Sequence, residues 1–268
     1  MERSLKPNET EGRYGRIAGL VDLDALAPKR VTIIGAGSMG GPVAVQLGRH
    51  GVGTRGAGRL RVIDGDVVSE RNLIGTDYRL QHVGMPKAEA LAAIIRECND
   101  QVNVSYWNKM LTEGDVGAVV GLARQSDLLG LFADGFDIML RIADACSEVC
   151  AQVMAVFGPR ADYAEVAFSL PGATPPLSWT LGKRRRQTIA KPEALGCDTV
   201  WVASFVAALC IRLLLGEAKG SELLPCYTNT PVLLAGVRKS WVFENQPPDV
   251  ARSIVLVQAE KPAKGERR

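Results

Sequence analysis

The stretch VTIIGAGSMGGPVAVQLG, residues 31–48, reads as a buried strand, a glycine turn and the start of a helix. Gly35 allows a tight turn after the strand, Gly37 lets backbone N–H groups approach a phosphate, and Gly40 permits close helix–strand packing. A phosphate resting there would meet unpaired N–H groups and the favourable end of the helix dipole. Two ligands suit such a turn: the pyrophosphate of a nicotinamide cofactor, or the phosphates of ATP. The glycines alone do not choose between them, and a glycine-rich turn that binds nothing is the plainer reading.

The sequence around this turn alternates between apolar runs and helical spacing. Residues 31–34, 60–63, 102–107 and 127–132 read as strands, and 42–50, 86–98 and 138–150 as helices. Within 86–98, Leu91, Ile94 and Ile95 have the spacing of an amphipathic helix. Such alternation predicts an α/β, Rossmann-like fold, a mainly parallel sheet with helices on both faces. Further on, 153–157 and 163–168 read as strands and 198–215 as a strongly apolar helix packed on the sheet. Residues 232–237, 240–243 and 253–258 complete a mixed C-terminal extension of the sheet. Without internal repeats, the expectation is one domain over 13–258, with flexible ends at 1–12 and 259–268.

Bulk properties narrow the setting. A formal net charge of +3 in 268 residues gives no reason to expect a nucleic-acid partner. The six cysteines, at 98, 146, 150, 197, 210 and 226, contain no CxxC or CxxH pair, so neither a zinc knot nor a disulfide framework is expected. No apolar run reaches the length of a membrane span; the longest candidate carries Ser204 and Arg212. The charged start, MERSLKPNETEGR, lacks the apolar core of a signal peptide. A cytoplasmic protein, with no membrane association, is the expectation.

The residues after the turn separate the two ligands. The second strand ends in RVIDGDVVSERNL, where Asp64 is placed to accept hydrogen bonds from ribose hydroxyls. A dehydrogenase needs only that acid, yet Asp66 and the pair Asn72–Leu73 follow. Plainer readings make Asp66 a turn former and Asn72 a cap. In HVGMPKAEAL, Pro86 suits a first helical turn and sets Lys87 near the helix N-terminus. The dipole disfavours a cation there, a conflict that a bound anion would offset; a solvated lysine is the plainer reading.

Taken in order, RYGR (13–16), GAGSMG (35–40), VIDGDVV (62–68), NL (72–73), VGMPKAEAL (83–91) and SDLLGLFADGF (126–136) resemble the ThiF/MoeB/HesA superfamily, the adenylating domain also found in ubiquitin-activating enzymes. The resemblance spans about residues 13–216 and implies a homodimeric, ATP-binding α/β enzyme. Such enzymes adenylate a C-terminal carboxylate, often on a ubiquitin-like or sulfur-carrier protein or a peptide, and release pyrophosphate. By motif position, Gly35, Gly37, Ser38, Gly40, Asp64, Asp66, Asn72 and Lys87 would bind ATP. Asp134 would hold Mg²⁺, and Arg16 would reach the neighbouring subunit's site. Arg16, Lys87 and Asp134 are the expected catalytic set, acting by charge rather than as bases, since a carboxylate nucleophile is already ionised at neutral pH.

This chain also departs from the family pattern. The family's NLxRQ reads NLIGT here, so Gly75 stands where an arginine is usual, and Arg71 and Arg79 are the nearby substitutes. The turn PGATPPLSW lacks the zinc-site cysteines of many relatives, so no zinc is expected. The strand-tip pair Asp-x-x-Asp reads LFAD, with Leu131 replacing the first acid. Cys197 in ALGCDTVW precedes an expected helix start, a setting that favours a thiolate but is opposed by the neighbouring Asp198, which offers a nucleophile reading beside the commoner buried one. The basic run KRRR at 183–186 is a solvated loop or a guide for an acidic partner. Three alternatives to the adenylyltransferase remain: a silent subunit that scaffolds an active partner, a tRNA-modifying dehydratase acting through an adenylated carboxylate, and an NAD-dependent oxidoreductase.

Overall fold

The computed structural model describes residues 12–147, 149–150, 153–157, 163–169, 196–216, 232–235, 238–241 and 253–259. After a one-turn helix α1 (Leu23–Leu26), the chain runs β1 (Arg30–Ile34), α2 (Gly40–Arg49), β2 (Arg59–Asp64), α3 (Lys87–Cys98) and β3 (Val104–Asn108). It continues with α4 (Val116–Ala123), β4 (Leu128–Leu131), α5 (Phe136–Cys146), β5 (Val153–Phe157) and β6 (Tyr163–Ser169). The long helix α6 (Gly196–Leu214) and strands β7 (Val232–Ala235), β8 (Arg238–Trp241) and β9 (Ser253–Ala259) follow.

These strands form one sheet in the order β3-β2-β1-β4-β5-β6-β9-β8-β7. Strands β3 to β5 pair in parallel, and β6 turns antiparallel against β5. The sheet is thus Rossmann-like in its parallel part, with a mixed extension beyond it, as expected.

Alternation along the strands sorts their side chains between two cores. Val31, Ile33, Leu60, Val62 and Leu128 face the layer of α2, α3 and α6, whereas Ile34, Ile63, Leu129 and Leu131 face α4 and α5. Helix α6 packs chiefly on α2, and its apolar face joins the same core as Val31, Leu60 and Val166 of the strands. Gly48 makes room on α2: a Cβ there would sit 3.0 Å from Ile95 Cγ2. Among the described residues, no helix is long and apolar enough to cross a membrane.

The strand order reverses between β1 and β4, which lie side by side although α2, β2, α3, β3 and α4 separate them in sequence. At such a point the two flanking connections leave in opposite directions and open a crevice at the carboxyl ends of the strands. The glycine turn after β1 and the loop after β4 form its two lips.

Candidate nucleotide site

Gly35 leaves β1 at φ +96, and a Cβ there would lie 2.5 Å from the Ala133 backbone N. Only glycine allows this approach, which fixes the turn against the segment carrying Asp134. A Cβ at Gly40 would overlap the Gly35 carbonyl and press on Phe132 Cβ at 3.2 Å. At Gly37, by contrast, a Cβ would meet nothing within 4 Å. The turn is therefore closed on the protein side and open at its middle. Helix α2 begins there without a side-chain cap, so its first N–H groups suit an anion. Ser38 is exposed in the same turn.

Asp64 ends β2 and is tied into this turn. Its Oδ2 accepts from Ala36 N at 2.6 Å, and its Oδ1 accepts from Asp66 N at 2.8 Å. Each oxygen keeps a lone pair for a ligand hydroxyl. Asp66 in turn reaches Lys87: its Oδ2 lies 2.7 Å from Nζ, and its carbonyl accepts from Lys87 N at 2.8 Å. Lys87 is a buried residue at the start of α3 and not a solvated surface lysine. The conflict with the helix dipole is met by the Asp66 carboxylate.

Asn72 is not the N-cap but the third residue of a capping box whose N-cap is Ser69, and its oxygen is committed to that role. Oδ1 accepts from both the N–H and the hydroxyl of Ser69 at 2.9 Å, closing the 3₁₀ turn Glu70–Leu73. Its amide nitrogen is what remains to a ligand. Thr76 donates its hydroxyl to the Asn72 carbonyl and locks the far side of the loop.

Gly75 follows at φ +78, where a Cβ would stand 2.8 Å from the Gly196 Cα. The first residue of α6 occupies the space that a side chain at 75 would need. Of the two nearby arginines, Arg79 is paired with Glu97 at 3.1 Å, toward the far end of α3. Arg71 is exposed, with no ion pair among the described residues, and is the cation left beside Asn72.

Asp134 is exposed on the lip after β4, and among the described residues no group of three or more metal-binding side chains forms. One carboxylate beside a turn open to an anion is a donor set that suits Mg²⁺, which takes one or two carboxylates plus phosphate oxygens and water. Arg16 stands apart from all of these. The preceding Arg13 donates to Asn99 Oδ1 at 2.7 Å and Tyr14 accepts from Asn99 Nδ2 at 2.8 Å, which anchors the RYGR segment beyond the C-terminal end of α3. Lys87 opens that 12-residue helix, about 18 Å away along its axis. The exposed Arg16 lies outside the constellation formed by its own chain.

Two contributors had no motif to announce them. Tyr78 is buried, with its hydroxyl 2.8 Å from the Ala36 carbonyl and 3.0 Å from the Lys87 carbonyl, so it ties the glycine turn to the start of α3. Burial, with the charges of Asp64 and Asp77, pushes its phenol well above the ordinary range and keeps it a donor. Gly65 packs against Met110, where a Cβ would meet Met110 Cα at 2.5 Å. Lys109 N donates to the Asp64 carbonyl at 3.0 Å, so the segment after β3 flanks the Asp64 end of the crevice.

Among the cysteines, Cys146 and Cys210 are buried and their thiols are pushed up to about 12 by desolvation, which makes them core residues and poor nucleophiles. Cys197 falls in the first turn of α6. Its side chain lies outside the described residues, as do KRRR at 183–186 and the turn PGATPPLSW.

Comparison with known proteins supplies an independent view. A family model described as the ThiF family matches residues 13–241. The "Adenylyltransferase and sulfurtransferase MOCS3" of Dictyostelium discoideum is 33% identical over 153 residues, 54% of this chain and 33% of that protein. The "SAMP-activating enzyme E1" of Haloferax volcanii is 34% identical over 125 residues, 45% of this chain and 42% of that one. The matches thus span a third to two fifths of these relatives' lengths. Among solved structures, E. coli MccB with ATP superposes with a TM-score of 0.70 at 18% identity, covering 97% of this chain and 75% of that one. PaaA gives 0.61 at 21% identity, covering 83% and 79%. At these identities the structures speak to the fold.

Proposed function

This chain belongs to the ThiF family, and on that premise we propose that it is an ATP-dependent adenylyltransferase that activates the C-terminal carboxylate of a small carrier protein or peptide. The observation that carries the proposal is the meeting, at the β1/β4 crevice, of an uncapped helix start open at Gly37 with a buried lysine held 2.7 Å from Asp66. The names of the relatives, an adenylyltransferase and an activating enzyme, point the same way.

In this reading Asp64 takes the ribose, the turn with Gly37 and Ser38 takes the phosphates, and Lys87 and the Asn72 amide line the pocket. A substrate carboxylate oxygen attacks the α-phosphorus, a P–O bond forms, the bond to the β-phosphate oxygen breaks, and pyrophosphate leaves with the electron pair. Two anions meet in that step, so positive charge placed in advance is what accelerates it. Mg²⁺ held at Asp134 would neutralise phosphate charge. Arg16, remote from its own chain's crevice, is assigned to a partner subunit's site in a homodimer.

The test is Mg²⁺-dependent exchange of labelled pyrophosphate into ATP, run with carrier proteins ending in Gly-Gly and with short peptides, beside thermal melts in ATP or NADH. Stabilisation by ATP and exchange with one carboxylate class are expected. Stabilisation by NADH alone removes the proposal. Firm ATP binding without exchange selects the silent-subunit reading, which Gly75 in place of an arginine favours.

A further inference from the structure

We propose that Asp66 acts as a positioning residue for Lys87, and not as a ligand of the nucleotide. The inference rests on the adenylyltransferase reading for its purpose, but its geometry stands on the contacts alone.

Lys87 occupies an unfavourable place. It opens α3 behind Pro86, which supplies no side-chain cap, so the positive end of the dipole faces an ammonium. Its side chain is only 11% exposed, which removes most of the water that would otherwise solvate the charge. An ammonium there needs a fixed anion if it is to wait in the right place for a phosphate.

Asp66 supplies that anion and is itself held on three sides. Its N–H donates to Asp64 Oδ1 at 2.8 Å, its carbonyl accepts from Lys87 N at 2.8 Å, and its Oδ2 accepts from Lys87 Nζ at 2.7 Å. One residue thus links the acid placed for the ribose to the lysine placed for the phosphates. An ammonium has three donors; Asp66 uses one and leaves two for phosphate oxygens, so the pair need not break when ATP arrives.

The two partners are unequally buried, with Asp66 53% exposed against 11% for Lys87. Removing Lys87 leaves a carboxylate that water can solvate. Removing the Asp66 charge leaves a buried ammonium without its counter-ion, free to move toward solvent. The asymmetry gives Asp66 an effect on nucleotide binding that passes entirely through Lys87.

The experiment is a double-mutant cycle on the full chain, with Asp66→Asn, Lys87→Met and the double variant titrated with MgATP by calorimetry. Asp66→Asn is expected to weaken ATP binding by about tenfold, and to weaken it by less than about twofold when Lys87→Met is already present. Asp66→Glu, which keeps the charge, is expected to recover most of the loss. Equal losses in both backgrounds would mean direct contact with the nucleotide and overturn the inference, as would unchanged or tighter ATP binding in Asp66→Asn. Reductive methylation with formaldehyde and borohydride, followed by mass spectrometry, tests the pair without ATP. Lys87 should label several-fold faster in Asp66→Asn than in the wild type, and equal rates overturn the proposal. A wild type that labels slowly at Lys87 but binds no ATP would defeat the adenylyltransferase reading and leave the pairing intact.

Discussion

At Gly37 a Cβ would meet nothing within 4 Å, whereas at Gly75 it would stand 2.8 Å from the Gly196 Cα. One glycine keeps space empty and the other lets two backbones fill it. Around Gly37 the empty space faces an uncapped helix start, the arrangement that suits a phosphate. Around Gly75 the space belongs to the first turn of α6, and the contact is reciprocal: a Cβ on Gly196 would come 2.6 Å from Gly75 N and 2.7 Å from Ile74 Cγ2. The absent arginine at 75 is therefore not a simple deletion of charge. The residue and the helix opposite it fit as a pair.

Substitutions at three glycines can break or sharpen this contrast. The largest effect is expected for Gly35→Ala, where φ is +96 and backbone lies 2.5 Å from the new Cβ. A stability loss of roughly 3 kcal/mol or more follows from that strain and overlap, with ATP binding lost in the same variant. Urea unfolding at near wild-type midpoint would show that the turn and the β4 loop are not locked together.

Restoring the family residue with Gly75→Arg is expected to cost about 2 kcal/mol, from a positive φ and contact with α6. It should leave ATP affinity no better than wild type. An arginine variant that is fully stable and binds ATP more tightly would mean that α6 gives way, and that only charge is missing from the site.

The smallest effect on stability is expected at Gly37→Ala, within about 0.5 kcal/mol of wild type, because the new methyl touches nothing. Its effect belongs to the ligand: ATP affinity should fall several-fold if phosphate approaches the backbone there. Calorimetric titration showing unchanged affinity would move the phosphates elsewhere in the crevice.

Much of this architecture is legible in the sequence. Strands β1, β2 and β4 are short apolar runs between glycine or polar punctuation, and Leu91, Ile94 and Ile95 mark α3 by spacing alone. Helix α4 has no helical signature in its sequence, because VGAVVGLA combines two glycines with three valines, all poor helix formers, and shows no polar face. Helix α5 was expected over 138–150 but spans Phe136–Cys146; the N–H of Cys150 still bonds back to the Cys146 carbonyl at 2.9 Å, in a turn beyond the helix end. The α6 expectation of 198–215 differs from Gly196–Leu214 by two residues at its start, which matters because Gly196 is the residue facing Gly75.

The candidate site divides in a similar way. Gly35, Gly40, Asp64, Asn72, Lys87 and Asp134 stand in local motifs, and local motifs are readable because turn geometry and cap chemistry depend on a few adjacent residues. Tyr78 has no such neighbourhood. Its value comes from two carbonyls, at Ala36 and Lys87, which only the packed chain brings together.

By itself, the sequence determined the α/β class and the glycine turn, since these follow from periodicity and short-range chemistry; the family resemblance supplied the rest of the candidate site residues. Tertiary structure decided how those residues are arranged. It brought Lys87 to Asp66, aimed the Asn72 oxygen into a cap, set the RYGR segment at the remote end of α3 and closed Gly75 against Gly196. The last contact joins positions 121 residues apart. No local pattern encodes such an approach, because it depends on where an entire helix comes to rest.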